Sequence, residues 1–208
     1  MEQPTDYSHL VFPTKPLRIG ITGGIGSGKS YVCAKISAKG YPVYYCDDEA
    51  KRIIRTSPVV HDKLVDLIGS DVYSANGTLQ KPVLAAYLCS SKLHAAEVDR
   101  IVHPCVAEDF RQWCQKQTSP VVFMECALLF ESGFDALVQF SALVTVDEQT
   151  RLERIMARDH VSEEKARVWI ELQMPESEKA KRCDFQLRNT GADILQADLN
   201  RLFERVLK

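Results

Sequence analysis

Eight consecutive residues, Gly23-Gly24-Ile25-Gly26-Ser27-Gly28-Lys29-Ser30, restrict the architecture more than anything else in the chain. They fit G-x-x-x-x-G-K-[ST]. The apolar run Leu17-Arg18-Ile19-Gly20-Ile21-Thr22 precedes them, and a helical pattern to Lys39 follows. Strand, glycine loop and helix in that order are the setting a phosphate-binding loop requires. Glycines let the backbone close around an anion, so the amides of Gly24, Ile25, Gly26, Ser27 and Gly28 turn inward toward a triphosphate. Lys29 is expected to reach the β- and γ-phosphates and Ser30 to ligate Mg²⁺. Tyr31 lends a backbone N–H to the α-phosphate, and the helix N-terminus adds its positive dipole.

Composition narrows the setting. The chain has 208 residues, 45% hydrophobic and 26% charged, enough for one α/β unit with room for a small insertion. A net charge of −2 provides no bulk positive field for nucleic acid or acidic membranes. No apolar stretch approaches the roughly 20 residues of a membrane span. Residues 1–16 are polar and proline-spaced, which reads as an exposed lead-in without the features of a signal peptide. Seven cysteines, none in a C-x-x-C pair, suggest a reduced cytoplasmic protein without a zinc site or cysteine catalysis.

Apolar runs alternate with helical patterns. Strands are expected at 17–22, 42–45, 121–125, 142–146 and 185–188, and helices at 31–39, 148–159, 162–173 and 192–207. Alternation of this kind predicts right-handed crossovers and a mainly parallel five-stranded sheet covered on both faces, with ligands at the carboxyl ends of the strands. Residues 48–117 exceed one crossover and read as a helical insertion broken by the turn Ala75-Asn76-Gly77-Thr78, a natural place for a second substrate. Residues 159–181 read as a charged lid. The core is then 17–47, 118–158 and 182–208.

Further candidates lie at the expected sheet edge and on the helices. Asp47 follows the second strand, where a carboxylate can take the proton of an attacking hydroxyl or hold that hydroxyl in line; a helix N-cap is the competing role. Arg151, Arg154 and Arg158 share one helix face, suited either to spreading oxyanion charge or to solvated pairing with Glu153 and Asp159. His103-Pro104 interrupts a helical pattern and predicts a helix start, with an imidazole available to a substrate or held in a structural bond. Glu125, ending the third strand, could hold Mg²⁺ through water, and Glu131 competes for that role. Neither an Asn-Lys-x-Asp guanine site nor a Leu-Ser-Gly-Gly-Gln transporter motif is present. A switch protein is therefore disfavoured, and a kinase of a nucleoside, a nucleotide or another small acceptor is left open.

In order along the chain, Thr22 to Ser30, Gly40 with Val43 and Asp47, Ala50-Lys51, Asn76-Gly77-Thr78-Leu79 and His103-Pro104 resemble the dephospho-coenzyme A kinase family. So do Leu128-Leu129-Phe130-Glu131-Ser132-Gly133, the helix from Arg151 to Asp159, Gln173 and Asn189-Thr190-Gly191. The chain departs from it in carrying Tyr45-Cys46-Asp47 where Asp-Ala-Asp is common, Ala127 in place of proline, and Lys51 in place of arginine.

The resemblance implies a P-loop nucleoside-monophosphate-kinase-like three-layer fold with helical substrate domain and lid. It implies transfer of the ATP γ-phosphate to the ribose 3′-hydroxyl of dephospho-coenzyme A, the last step of coenzyme A synthesis. Lys29, Asp47 and Arg154 are then the catalytic set, with Arg154 and Arg158 on the phosphates and Asn189 near the adenine end. Asp47, Lys51 and His103 fall on the acceptor side. The implied protein is a cytoplasmic monomer or weak homo-oligomer that uses ATP, dephospho-coenzyme A and Mg²⁺ and needs neither nucleic acid nor membrane.

Overall fold

A computed structural model describes residues 5–207. The chain divides into two compact units, one built from the stretches up to Tyr45 and from Cys114 onward, the other Cys46–Trp113. The second begins and ends a little before the 48–117 expected for the insertion.

The first unit is built on five parallel strands: β1 (Leu17–Thr22), β2 (Val43–Tyr45), β3 (Val121–Glu125), β4 (Phe140–Thr145) and β5 (Phe185–Arg188), ordered β2-β3-β1-β4-β5. β1 pairs with β3 from Leu17↔Val121 to Ile21↔Glu125, and with β4 from Ile19↔Phe140 to Thr22↔Leu143. A central parallel strand is covered on both faces, so its sequence is almost continuously apolar.

On one face Ile19, Ile21, Phe123 and Val144 pack with Val32, Cys33 and Ile36 of α1 (Lys29–Ala38) and with Leu195, Leu199 and Leu202 of α9 (Ala192–Val206). On the other, Gly20 leaves space for Leu129, whose Cδ2 would lie 2.9 Å from an added Cβ, and α8 (Glu176–Arg182) packs on β4. Helix, sheet and helix make three layers. α6 (Glu148–Asp159) starts at Asp147, whose carboxylate accepts from the Thr150 amide at 2.8 Å. α7 (Glu163–Glu171) is capped by Ser162, as its acidic first turn favours. Leu152 and Ile155 of α6 meet Ala166 of α7, with Ile25 and Trp169 at the border. The stretch expected as a lid thus contains two helices and belongs to the first unit.

Residues 5–16 of the lead-in are mostly exposed, with exceptions at Tyr7 and Pro16. Residues 1–4 lie outside the described residues. Beyond them Tyr7 is buried, its ring 5.6 Å from that of Phe134, and Pro16 is buried as well, because β1 starts immediately after it. Arg18 anchors the segment by donating to the Pro13 carbonyl at 3.1 Å.

The second unit holds α2 (Cys46–Thr56), α3 (Pro58–Ile68), α4 (Lys81–Ser90) and most of α5 (Lys92–Gln115). Ser57 caps α3 with proline following it, and Gly69 ends it. The turn around Gly77 closes an antiparallel bridge, Tyr73↔Leu79. The Tyr73 hydroxyl donates to the Ile54 carbonyl at 2.6 Å, tying this bridge to α2.

The helix start expected at His103-Pro104 is corrected: α5 runs through both residues, and Pro104 lies inside it. Proline removes one helical hydrogen bond there. The helix persists because Val98, Val102, Val106 and Phe110 form a buried stripe spanning the proline, and that burial outweighs one missing bond.

Candidate active site

β1 delivers the chain into the glycine loop with Thr22, Gly23 and Gly24 buried. Gly28 caps α1 in the left-handed region at φ 89°, and a Cβ there would collide with the Asn189 carboxamide. Gly26, at φ 80°, would put a Cβ 2.7 Å from the Arg151 carbonyl oxygen. Both positions need glycine for backbone angle and for space. Gly24 has no room either, because the Arg151 guanidinium occupies the volume a side chain would take.

The loop is held from three directions. Arg151 Nε donates to the Ile25 carbonyl at 3.1 Å, and its Nη1 lies 3.5 Å from Glu176. Asn189 Nδ2 donates to the Ser27 carbonyl at 2.8 Å. The Ile25 amide donates to Gln173 Oε1 at 2.7 Å. Arg154 lies beside the same loop, its Nη1 3.3 Å from the Ser27 carbonyl and 3.4 Å from that of Gly26. Lys29 Nζ rests on the carbonyls of Gly23 and Gly24 at 2.9 and 3.4 Å. Ser30 and Tyr31, the next residues of α1, are exposed.

Among the residues picked out from sequence, the structure brings Gly24 to Ser30, Arg154 and Asn189 together. Arg158 is exposed and forked onto its neighbour Asp159, with Nη2 to Oδ2 at 2.7 Å. Asn189, expected toward the adenine end, lies against Ser27 and Gly28. Arg151 and Gln173 are loop contacts absent from the sequence-based site. Arg151 was visible as a member of the arginine face, whereas Gln173 was marked only by the family resemblance.

Glu125 is buried at the end of β3. Burial raises the Cys33 thiol far above its ordinary range; Glu125 pushes the same way and Lys29 opposes, so both charges flank this thiol. Glu131 instead accepts from Lys179 Nζ at 3.0 Å and from the Met174 amide at 3.0 Å. Burial also raises the thiols of Cys105, Cys114 (to about 12) and Cys183 (to about 11), consistent with structural cysteines.

In the second unit Asp47 is exposed in the first turn of α2, which begins at Cys46, so it does not cap a helix starting at Asp48. An anionic side chain there also matches the helix dipole. Burial lowers His103 below the ordinary 6.5, while the charges of Asp99 and Asp47 act to raise it. Asp47 and His103 therefore share one electrostatic neighbourhood. His103 Nε2 lies 3.5 Å from Asp99 Oδ1. Lys51 is one turn beyond Asp47 on α2, with Nζ 3.2 Å from Asp48.

A triphosphate loop braced by arginine and asparagine is common to many kinases; relatives narrow the choice. The dephospho-CoA kinase family model matches residues 17–194. The chain belongs to the dephospho-CoA kinase family. Family members in Bacteroides fragilis and Porphyromonas gingivalis are 43% and 41% identical over 84% and 91% of this chain, covering 85% and 94% of their own lengths. The crystal structure of TT1252 from Thermus thermophilus superimposes with a TM-score of 0.78 at 35% identity, over 92% of this chain and 96% of that one. Among the described residues no helix is long and apolar enough to cross a membrane.

Proposed function

We propose that this kinase transfers the γ-phosphoryl group of ATP to the ribose 3′-hydroxyl of dephospho-CoA, giving CoA and ADP. The observation that carries the reading is an intact, fully braced glycine loop in a chain that matches dephospho-CoA kinases over nearly its whole length. That match favours dephospho-CoA over another small acceptor.

Gly24 to Tyr31 hold the triphosphate through backbone amides, and Lys29 leaves the loop carbonyls to neutralise charge on the β- and γ-phosphates. Arg154 faces the same oxygens with a planar guanidinium. Asp47 receives the acceptor hydroxyl and accepts its proton as oxygen bonds to the γ-phosphorus and the β–γ bridging bond breaks. His103, neutral at neutral pH, hydrogen-bonds the acceptor, and Lys51 offers it a cation.

The Ser30 hydroxyl and the Glu125 carboxylate are hard oxygen donors of the kind Mg²⁺ selects, which fits a metal held by Ser30 directly and by Glu125 through water. Bound there, Mg²⁺ would supply further neutralisation of phosphate charge. Glu131, engaged by Lys179, is not part of this set. We also assign the enzyme to the cytoplasm, with ATP and dephospho-CoA as its substrates.

The test is production of CoA from ATP and dephospho-CoA by the purified protein. Lys29→Ala is expected to reduce kcat by about a thousandfold or more, since electrostatic stabilisation dominates phosphoryl transfer. Asp47→Asn should lower kcat by about a hundredfold while leaving ATP affinity unchanged. Phosphorylation of a nucleoside, with none of dephospho-CoA, would overturn the assignment.

A further inference from the structure

Gln173 touches the glycine loop, yet the transfer chemistry gives it no part. It lies in the turn between α7 and α8, and its Oε1 accepts from the Ile25 amide at 2.7 Å. The turn around it is anchored. The Met174 amide donates to Glu131 at 3.0 Å, Glu176 lies 3.5 Å from Arg151, and the buried Lys179 donates to the Ala127 carbonyl at 2.7 Å. A backbone N–H bonds to oxygen, so the carboxamide oxygen faces Ile25 and its nitrogen takes the other corner. Gln173 Nε2, with two hydrogens to give, has no hydrogen-bond partner among the described residues.

The place of Ile25 in the loop decides what that nitrogen meets. Gly28 caps α1 and Lys29 to Tyr31 open it, and amides at a helix N-terminus take the inner phosphates. The other limb of the loop, Gly23 to Ile25, carries Lys29. Its Nζ rests on the carbonyls of Gly23 and Gly24 at 2.9 and 3.4 Å, and that ammonium is the group such a loop presents to the β- and γ-phosphates. The Gly24 carbonyl and the Ile25 amide belong to one peptide unit, so Gln173 stands at the γ end of the site. Bracing alone does not call for a carboxamide. Arg151 Nε already holds the Ile25 carbonyl at 3.1 Å, and Asn189 holds that of Ser27 at 2.8 Å. A carboxamide is neutral, accepts from the loop and donates outward at once, so it passes the donor character of the Ile25 amide on to an anion. A carboxylate would accept from Ile25 equally well and would repel a polyphosphate.

We propose that Gln173 Nε2 donates to a γ-phosphoryl oxygen of bound ATP and stabilises the charge spreading over those oxygens during transfer. Gln173 is then a catalytic residue beside Lys29 and Arg154, supplied from the turn between α7 and α8. This role rests on the ATP-dependent transfer proposed above and concerns its donor side alone.

Gln173→Glu and Gln173→Ala test it. Calorimetry measures binding of ADP and of the β,γ-imido analogue of ATP, each with Mg²⁺, alongside kcat for CoA formation. Gln173→Glu keeps the acceptor for Ile25 and loses the donor. It is expected to hold the wild-type thermal midpoint and ADP affinity and to bind the imido analogue about tenfold more weakly. Its kcat should fall about a hundredfold. Gln173→Ala should show the same selective loss for the analogue, because ADP lacks the γ-phosphate. Wild-type kcat in Gln173→Glu, or equal weakening of ADP and analogue in Gln173→Ala, would make Gln173 a brace only and overturn the proposal. Should Gln173→Glu fail to fold, the analogue-to-ADP affinity ratio in Gln173→Ala decides. A wild type that makes no CoA is a separate result: it sinks the acceptor assignment, and the same affinity ratio still decides the role of Gln173.

Discussion

His103 and Asp47 sit on different helices of one unit, and the carboxylate's charge already acts on the imidazole. Asp47→Asn removes a charge that favours the protonated ring, so His103 is expected to titrate still lower in that variant; NMR titration of its ring protons reads this directly. An unshifted titration would separate the two residues and weaken their joint assignment to the acceptor. The sign for stability follows. The unfolded chain takes up the histidine proton near 6.5 and the native chain only at lower pH, so this residue's contribution to stability is lost as pH falls below about 6.5. The position of Asp47 at the end of a strand was legible from the apolar run before it. Its proximity to His103 was not, because no local pattern pairs α2 with α5.

At the scale of elements, Lys179 ties α8 to the loop that follows β3. Its side chain is entirely buried, donating to the Ala127 carbonyl at 2.7 Å and to Glu131 Oε1 at 3.0 Å. Thr22, at the end of β1, donates to the same carbonyl at 3.4 Å. Lys179→Met strands the Glu131 carboxylate, one of whose oxygens is buried without a hydrogen-bond partner, and should cost about 3 kcal/mol in urea unfolding. Adding Glu131→Gln should recover most of that loss, since removing both charges also removes the uncompensated one. No recovery would mean the pair's packing matters more than its charge. Glu131 was legible as a carboxylate at the sheet edge, but its partner was hidden in a segment that reads as a polar excursion. α5 shows the opposite problem. Proline is a strong local breaker, and only the buried stripe formed by Val98, Val102, Val106 and Phe110 reveals why the helix continues.

For the molecule as a whole, resistance to acid should depend on Asp198. This fully buried carboxylate of α9 accepts from the Arg188 amide and, in a fork, from its guanidinium, all at 2.9 Å, and from Arg201. The hydrogen bonds from Arg188 hold it well below the ordinary 3.8. A depressed carboxylate stabilises the fold above the unfolded-state value and loses that contribution as pH falls toward the native one. Because Arg188 is half exposed, Asp198→Asn is expected to cost about 2 kcal/mol at pH 7, with the difference from wild type shrinking below about pH 4. Chemical denaturation across pH 2–7 checks both statements. A difference that is the same at every pH would show that charge plays no part in joining α9 to β5.

Local sequence pattern was enough to set most of the elements and the loop. β1, β3, β5 and α6 lie where their patterns predict, and the phosphate-binding turn follows from eight adjacent residues, because strand alternation, helix periodicity, capping and glycine chemistry all act over a few residues. Tertiary structure alone decided what braces that loop. Ile25 meets Gln173 across 148 positions and Ser27 meets Asn189 across 162. Those meetings exist because β4 and β5 follow β1 in the sheet order, which brings the segments after them to the same carboxyl edge. Sheet order is set by the burial of both faces at once, a property no short stretch of sequence carries.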